Sequence, residues 1–391
     1  MTIVNPYLLE QDMYDILFKP LSIAGFQAPN RLVAQAMEIN SAEKGGSAGQ
    51  SVLERYKSLA RGEWGIVFSE AISITGSHLA RKRGLVLNKK NLGSFKQMVD
   101  AFKTINDTSL FLFQLTHSGR QSGDFSRKVK AYEDSETEIP VLTTQELHDI
   151  RGLFLEAAAL AKEAGADGVD IKSCHGYLGG ELLRPLNTRN DCFGGSVENR
   201  AHLAASVIKE VSKAFPGFIT GSRISLFEGI RGGCGTGGPD EIIEDLTDMG
   251  ELLTHFVKAG ALYVNVSGGI PPRTPDITRP NKKGQFFRTH QFRYAKTVKG
   301  LFPDTAIIGS AYTTGDSDGI GFAQENITKG HTDFAGFGRQ NLADPLFPLK
   351  LKENSDAIDF CDLCGGCSGL LKKNKVVYCV KHGKKPVMDR S

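Results

Sequence analysis

The chain has 391 residues, 23% of them charged, and a formal net charge of +3, which leaves room for one large domain or two ordinary ones and singles out no partner class. No basic run carries interleaved aromatics, which argues against nucleic acid, and no window approaches the roughly 20 apolar residues that span a bilayer. The opening MTIVNPYLLEQDMYDILF has no cationic start before an apolar core, so a cytoplasmic protein is expected.

In chain order, residues 15–30 read as a small hairpin: Ile16-Leu17-Phe18, a break at Pro20, Leu21-Ser22-Ile23, then Gly25. Short apolar runs then alternate with stretches of helical periodicity. Strands are expected at 32–36, 65–70, 110–116, 168–173, 219–224, 262–267, 306–310 and 334–338. Helices are expected at 52–61, 92–105, 144–164, 197–215, 242–259, 290–301, 319–329 and briefly after Pro345. Thr143 or Thr144 with Glu146 starts the third helix, and Lys162 to Gly165 ends it. Eight consecutive strand–helix units predict a (β/α)8 TIM barrel, because parallel strands need crossover helices and closure removes exposed edges. A doubly wound open sheet is the competing fold; MEINSAEKGG after the first strand lacks its Gly-rich dinucleotide turn. The division expected is a barrel over 1–353, with a polar insertion at 128–140, and a cysteine-rich tail over 354–391.

Strand ends carry the polar chemistry, where a barrel places its active site. Gln114 and His117 end the third strand; Lys172, His175 and Tyr177 follow the fourth; Arg223 lies in the fifth; Gly309-Ser310 and Gly338-Arg339 end the seventh and eighth. Glycines and an arginine after strands seven and eight suit a phosphate, so a phosphorylated cofactor or substrate is expected. Arg223 inside an apolar strand requires buried acceptors. The remaining histidines, His78 and His290 among them, read as surface residues.

The stretch HGYLGGELLRPLNTRNDCFGGSVENR (175–200) resembles the Old Yellow Enzyme family of FMN-dependent oxidoreductases. The resemblance extends through NRLVAQAME (30–38), FSEA (68–71), FQLTHSGRQ (113–121), SRIS (222–225), VNVSGG (264–269) and GFGRQNLADP (336–345). It implies that Gln114 and Arg223 bond the flavin ring, that Ala36, Met37 and Ala71 line it, and that Gly309, Ser310, Gly338 and Arg339 hold the FMN phosphate. By the same resemblance His175 and Lys172 polarise the carbonyl of an activated alkene, and Tyr177 protonates the α-carbon after hydride reaches the β-carbon. Three departures stand out: Lys172 where the family generally has histidine, Ala36 where many relatives have proline, and Glu38 beside the flavin loop. Lys172 favours an anionic or carboxylate-bearing substrate, or equally a salt bridge to a neighbouring Asp or Glu.

Cys361, Cys364, Cys367 and Cys379 form C-x2-C-x2-C-x11-C. Such a run suits an iron–sulfur cluster, with a four-cysteine zinc site or free thiols as alternatives. The dienoyl-CoA reductase and trimethylamine dehydrogenase branch of the family is similar here, which implies a [4Fe-4S] cluster. With the chain ending at Ser391, reduction by NAD(P)H directly or through a separate electron-donor protein is expected, and a homo-oligomer stays open. The leading expectation is an ene-reductase acting on a small-molecule unsaturated carbonyl or acyl compound. The rivals are a Schiff-base lyase or aldolase using Lys172 and a non-catalytic flavin/iron–sulfur electron-transfer subunit.

Overall fold

Period-2 alternation within eight short strands decides the architecture of the chain. The computed structural model describes residues 14–134, 137–354 and 356–383; the reading of residues 1–13 as free of a targeting segment lies outside them. A hairpin, β1 (Leu21–Ile23) and β2 (Phe26–Ala28), turns through Ala24 and Gly25, both at positive φ, as a two-residue hairpin loop requires. The barrel strands are β3 (Leu32–Ala34), β4 (Ile66–Phe68), β6 (Leu110–Thr116), β7 (Gly168–Ile171), β8 (Ile219–Ser225), β9 (Tyr263–Ser267), β10 (Ala306–Gly309) and β11 (Phe334–Phe337). They pair in parallel in sequence order, β11 pairs with β3, and β4 pairs with β6 across a two-residue strand β5 (Ile72–Ser73). The sheet therefore closes on itself as a (β/α)8 barrel.

Inward-facing residues change character along the barrel axis. Val33, Ile66, Phe68, Leu110, Leu112, Ile219, Tyr263, Ile308 and Phe334 form one buried cluster, to which Ile23 and Ala28 of the hairpin belong. Burying each of the larger ones contributes about 1.5–3 kcal/mol. Two residues further along five of the strands, on the same face, come Gln35, Gln114, Asn265, Ser310 and Gly336, and Asp170 of β7 joins them through Gln114 and Tyr263. The hairpin thus plugs one end and polar side chains fill the other. The helices pack outside through a larger apolar cluster.

Local signals account for the elements. The helix Thr144–Glu163 opens with a capping box between Thr143 and Glu146, and Gly165 follows it at φ 90°, a left-handed position that favours glycine. Residues 16–18 correct the expectation of a strand. They belong to a short helix, Asp15–Phe18, set apart from the hairpin by Pro20, with Leu17 buried and Ile16 and Phe18 packed against the core. Short helices at Leu178–Leu182, Pro275–Thr278 and Gln340–Ala343 were not legible from periodicity. The tail adds Gly366–Lys372, and its backbone meets the barrel where Val377 N–H donates to Ile39 O at 2.9 Å and Cys361 N–H donates to Gln340 Oε1 at 3.0 Å. Among the described residues, no helix is long and apolar enough to cross a membrane.

Candidate active site

A cavity of about 320 Å³ opens at the polar end of the barrel. It gathers Ala36, Met37, Ala71, Gln114, Lys172, His175, Tyr177, Arg223, Ser310, Gly338 and Arg339, all singled out from the sequence. Gly309 is the exception and does not line it. Its N–H donates to Thr332 Oγ1 at 2.9 Å, because β10 still runs as a strand there and turns its backbone into the wall.

β7 ends at Ile171, and the next residues are held tightly. His175 sits at φ 62°, a left-handed conformation uncommon for a residue with a side chain. Its N–H donates to Ser225 Oγ at 3.1 Å, and its ring Nε2 lies 2.9 Å from Ser267 Oγ. Burial, then the Arg223 and Lys172 charges, hold the imidazole well below its ordinary pKa, so it is neutral. Tyr177 precedes the helix Leu178–Leu182 and donates from its phenol to Glu38 Oε1 at 2.6 Å. Gly179 lets this turn approach β7: an added Cβ would stand 2.5 Å from Lys172 O.

Glu38 is the residue whose importance the sequence understated. Burial alone would raise its pKa, but Arg81, Lys172 and the Tyr177 hydroxyl bring it down to about 2. Arg81 Nε donates to its other oxygen at 2.6 Å. The carboxylate is therefore ionised at neutral pH, and burial together with that charge lifts the Tyr177 phenol well above its usual range. Lys172 forms no ion pair with it. Its Nζ sits 3.5 Å from the centroid of the Tyr177 ring, a cation–π contact.

A second network spans the barrel floor. Arg223 Nη1 donates to Gln35 Oε1 at 2.6 Å, while Gln35 and Asn265 exchange two hydrogen bonds of 2.9 Å. Arg223 Nη2 reaches Ser267 Oγ at 3.4 Å and Ser310 Oγ at 3.5 Å, yet its buried Nε has no partner among the described residues. Gln114 Nε2 donates to Asp170 Oδ2 at 2.7 Å. Burial raises Asp170 to about 6 against the hydrogen bonds from Gln114 and Tyr263. Gln35, Asn265 and Ser267 escaped the sequence reading, although counting in twos from Val33 and Tyr263 places all three inside the barrel.

His117 lies outside the cavity. Burial, then nearby His78, lowers its pKa to about 3, and the two rings are 4.5 Å apart. His290 corrects the surface reading: it is buried, with Nε2 2.8 Å from Ile277 O.

The tail departs from the expected metal centre. Leu363 and Gly365 take left-handed backbone, at φ 59° and 75°, and Cys367 enters the helix that follows. Cys361 and Cys379 are consequently buried while Cys364 is exposed. Among the described residues, no three His, Cys, Asp or Glu side chains are gathered to hold a metal ion. The same tail nevertheless walls the cavity with Cys367, Ser368, Leu371, Lys372 and Val377.

Residues 16–357 match the model of the NADH:flavin oxidoreductase / NADH oxidase family. An NADH oxidase of Thermoanaerobacter brockii is 28% identical over 90% of this chain and 53% of its own length. A cinnamate reductase of Clostridium sporogenes is 31% identical over 61% of this chain and 36% of its own. The solved structure of a 2-naphthoyl-CoA reductase with 2-naphthoyl-CoA superposes with a TM-score of 0.82 at 21% identity, over 94% of this chain and 57% of that one. The chain thus spans about half the length of the first of these relatives and of that structure.

Proposed function

The chain belongs to the NADH:flavin oxidoreductase / NADH oxidase family, and from that premise we propose that it is an FMN-dependent ene-reductase, reducing the activated C=C bond of an unsaturated carbonyl or acyl compound at the expense of NAD(P)H. The observation that carries this is the convergence of Lys172, His175 and Tyr177 with Gln114, Arg223, Ser310, Gly338 and Arg339 on one cavity. Among the described residues, an unpartnered buried donor on Arg223 and lining cations that, apart from Arg81, form no ion pair with a carboxylate fit a cofactor that is anionic and rich in acceptors.

When bound, FMN supplies hydride to the β-carbon of the substrate. In this proposal Arg223 and Gln114 hold the flavin ring, Ala36, Met37 and Ala71 pack on it, and Ser310, Gly338 and Arg339 take its phosphate. Lys172 and the neutral His175 draw electron density towards the substrate carbonyl oxygen. Tyr177 delivers a proton to the α-carbon, and the Lys172 ammonium over its ring stabilises the phenolate left behind. A Schiff-base role for Lys172 needs none of the flavin-suited groups opposite it. An electron-transfer subunit needs the flavin but not Tyr177, so Tyr177→Phe separates that reading from the reductase.

We propose Cys361, Cys364, Cys367 and Cys379 as ligands of a [4Fe-4S] cluster on their spacing, in a cytoplasmic protein served by a separate electron-donor protein. The thiols are not gathered for a metal, so no step above passes through a cluster. Protein purified anaerobically should be yellow and release about one FMN per chain. A colourless protein that releases none overturns the proposal.

A further inference from the structure

A tyrosine that gives up its proton in every turnover must get it back. In the reductase reading Tyr177 is left as a phenolate, and only 6% of the residue is exposed. Its hydroxyl makes one hydrogen bond among the described residues, to Glu38 Oε1 at 2.6 Å. Lys172 Nζ stands over the ring face, 3.5 Å from the centroid, and a cation placed there attracts the ring without donating to the phenol oxygen. His175 Nε2 is engaged with Ser267 Oγ. The returning proton therefore has a single hydrogen-bonded neighbour to come through.

Glu38 continues outward from the phenol. Its second oxygen accepts from Arg81 Nε at 2.6 Å, and the Glu38 and Arg81 side chains keep 14% and 28% of their surface exposed. One carboxylate thus touches the buried phenol on one side and solvent-accessible surface on the other. Beside a neutral phenol it is ionised, with its pKa at about 2. A phenolate at the same distance adds a second negative charge, which raises the affinity of the carboxylate for a proton. Glu38 can therefore take up a proton once Tyr177 has lost one. Glu70, the other buried acid nearby, does not offer this route: its Oε2 accepts from Ile39 N–H at 3.1 Å and it is only 2% exposed.

We propose that Glu38 relays the proton that restores Tyr177, taking it from solvent and passing it to the phenolate. This rests on the reductase reading given above. A hydride equivalent from NAD(P)H, passed through the bound flavin, forms the C–H bond at the β-carbon. The Tyr177 O–H bond breaks as its proton forms the C–H bond at the α-carbon. A solvent proton then forms an O–H bond on the Glu38 carboxyl, and that bond breaks as the proton crosses to the phenolate oxygen. Glu38 ends ionised and Tyr177 ends neutral, so each alkene reduced consumes one hydride and one solvent proton.

The test mixes anaerobic, NAD(P)H-reduced, FMN-loaded protein with 4-phenylbut-3-en-2-one in weak buffer containing a pH indicator. Flavin colour, tyrosinate absorbance and proton uptake are followed together. In wild type, uptake should keep pace with the return of colour. In Glu38→Gln the amide oxygen still accepts from the phenol but cannot carry a proton, so uptake should trail colour about tenfold or more, with tyrosinate absorbance persisting in between. Uptake in pace with colour in Glu38→Gln would overturn the proposal, because a residue that only holds the phenol in place slows both alike. Lys172→Gln keeps the test decisive if that variant does not fold: uptake in pace with colour is expected, and a lag there would move the relay to the lysine. Wild-type protein whose colour never returns with the alkene removes the reductase reading and not the relay alone.

Discussion

The Tyr177 hydroxyl lies 2.6 Å from Glu38 Oε1 and donates to it, so the proposed proton donor is held by an ionised carboxylate before substrate arrives. That carboxylate is also bound by Arg81. Glu38 therefore fixes the phenol's position and keeps its proton on.

The pH profile should report this pair. Turnover needs Tyr177 protonated, and burial followed by the Glu38 charge holds its pKa well above 10. Tyr177 should then cause no alkaline loss of kcat below about pH 10, and an earlier limb in wild type belongs to the Lys172 ammonium, whose pKa burial lowers. In Glu38→Gln the negative charge is gone while Arg81 and Lys172 stay, so the phenol becomes more acidic and the alkaline limb should move down by about one unit or more. A limb that does not move would separate Glu38 from Tyr177 function.

Gly336 tests the barrel floor. A Cβ there would stand 2.2 Å from Gln35 Nε2 and 2.8 Å from Gly309 O, and Gln35 is what holds Arg223 Nη1. Gly336→Ala should destabilise the chain by about 1–3 kcal/mol through overpacking, read as a lower urea midpoint, and should lower flavin content. Wild-type stability with full flavin would contradict the tight packing described.

Much of this was legible in the sequence for a physical reason. Strand β6 is legible with its observed limits because Leu110 to Thr116 is buried throughout and five of its seven residues are apolar. The Thr143–Glu146 capping box marks its helix by chemistry rather than periodicity. Tyr177, His175 and Lys172 were found because they follow a strand end. Glu38 stood out only as an acid beside the flavin loop, and Gln35 and Asn265 not at all, since each acquires its role from a partner far away in sequence: Tyr177 for the first, Arg223 and each other for the rest. The four-residue helix Gln340–Ala343 has too little length for any period to show.

Glu70 gives a stability prediction. Burial, with the Glu38 charge adding to it, raises its pKa from 4.5 to about 8. The native chain thus keeps a proton that the unfolded chain has released, so this group's contribution to stability falls as pH rises from about 4.5 to about 8. Glu70→Gln should flatten that part of the profile in denaturant titrations. A profile as steep as wild type would show that Glu70 titrates normally.

The tail should couple to the cavity. Val377 N–H donates to Ile39 O, one residue from Glu38, and Cys367 and Leu371 line the wall. If the cysteines ligate a cluster, anaerobic material should hold about four irons and four sulfides per chain, and Cys379→Ala should lose iron and flavin together. Zinc without iron would make the tail a structural clip, and neither metal would leave its thiols free.

The central claim is that Tyr177 completes a flavin-dependent reduction of a C=C bond, and the reoxidative half-reaction reads it most directly. Anaerobic, NAD(P)H-reduced protein is mixed with an α,β-unsaturated carbonyl compound while flavin colour and saturated product are followed. Wild type should regain its colour as product forms, and Tyr177→Phe should do so about 100-fold more slowly. Equal rates in the two proteins, or return of colour without saturated product, would contradict the account.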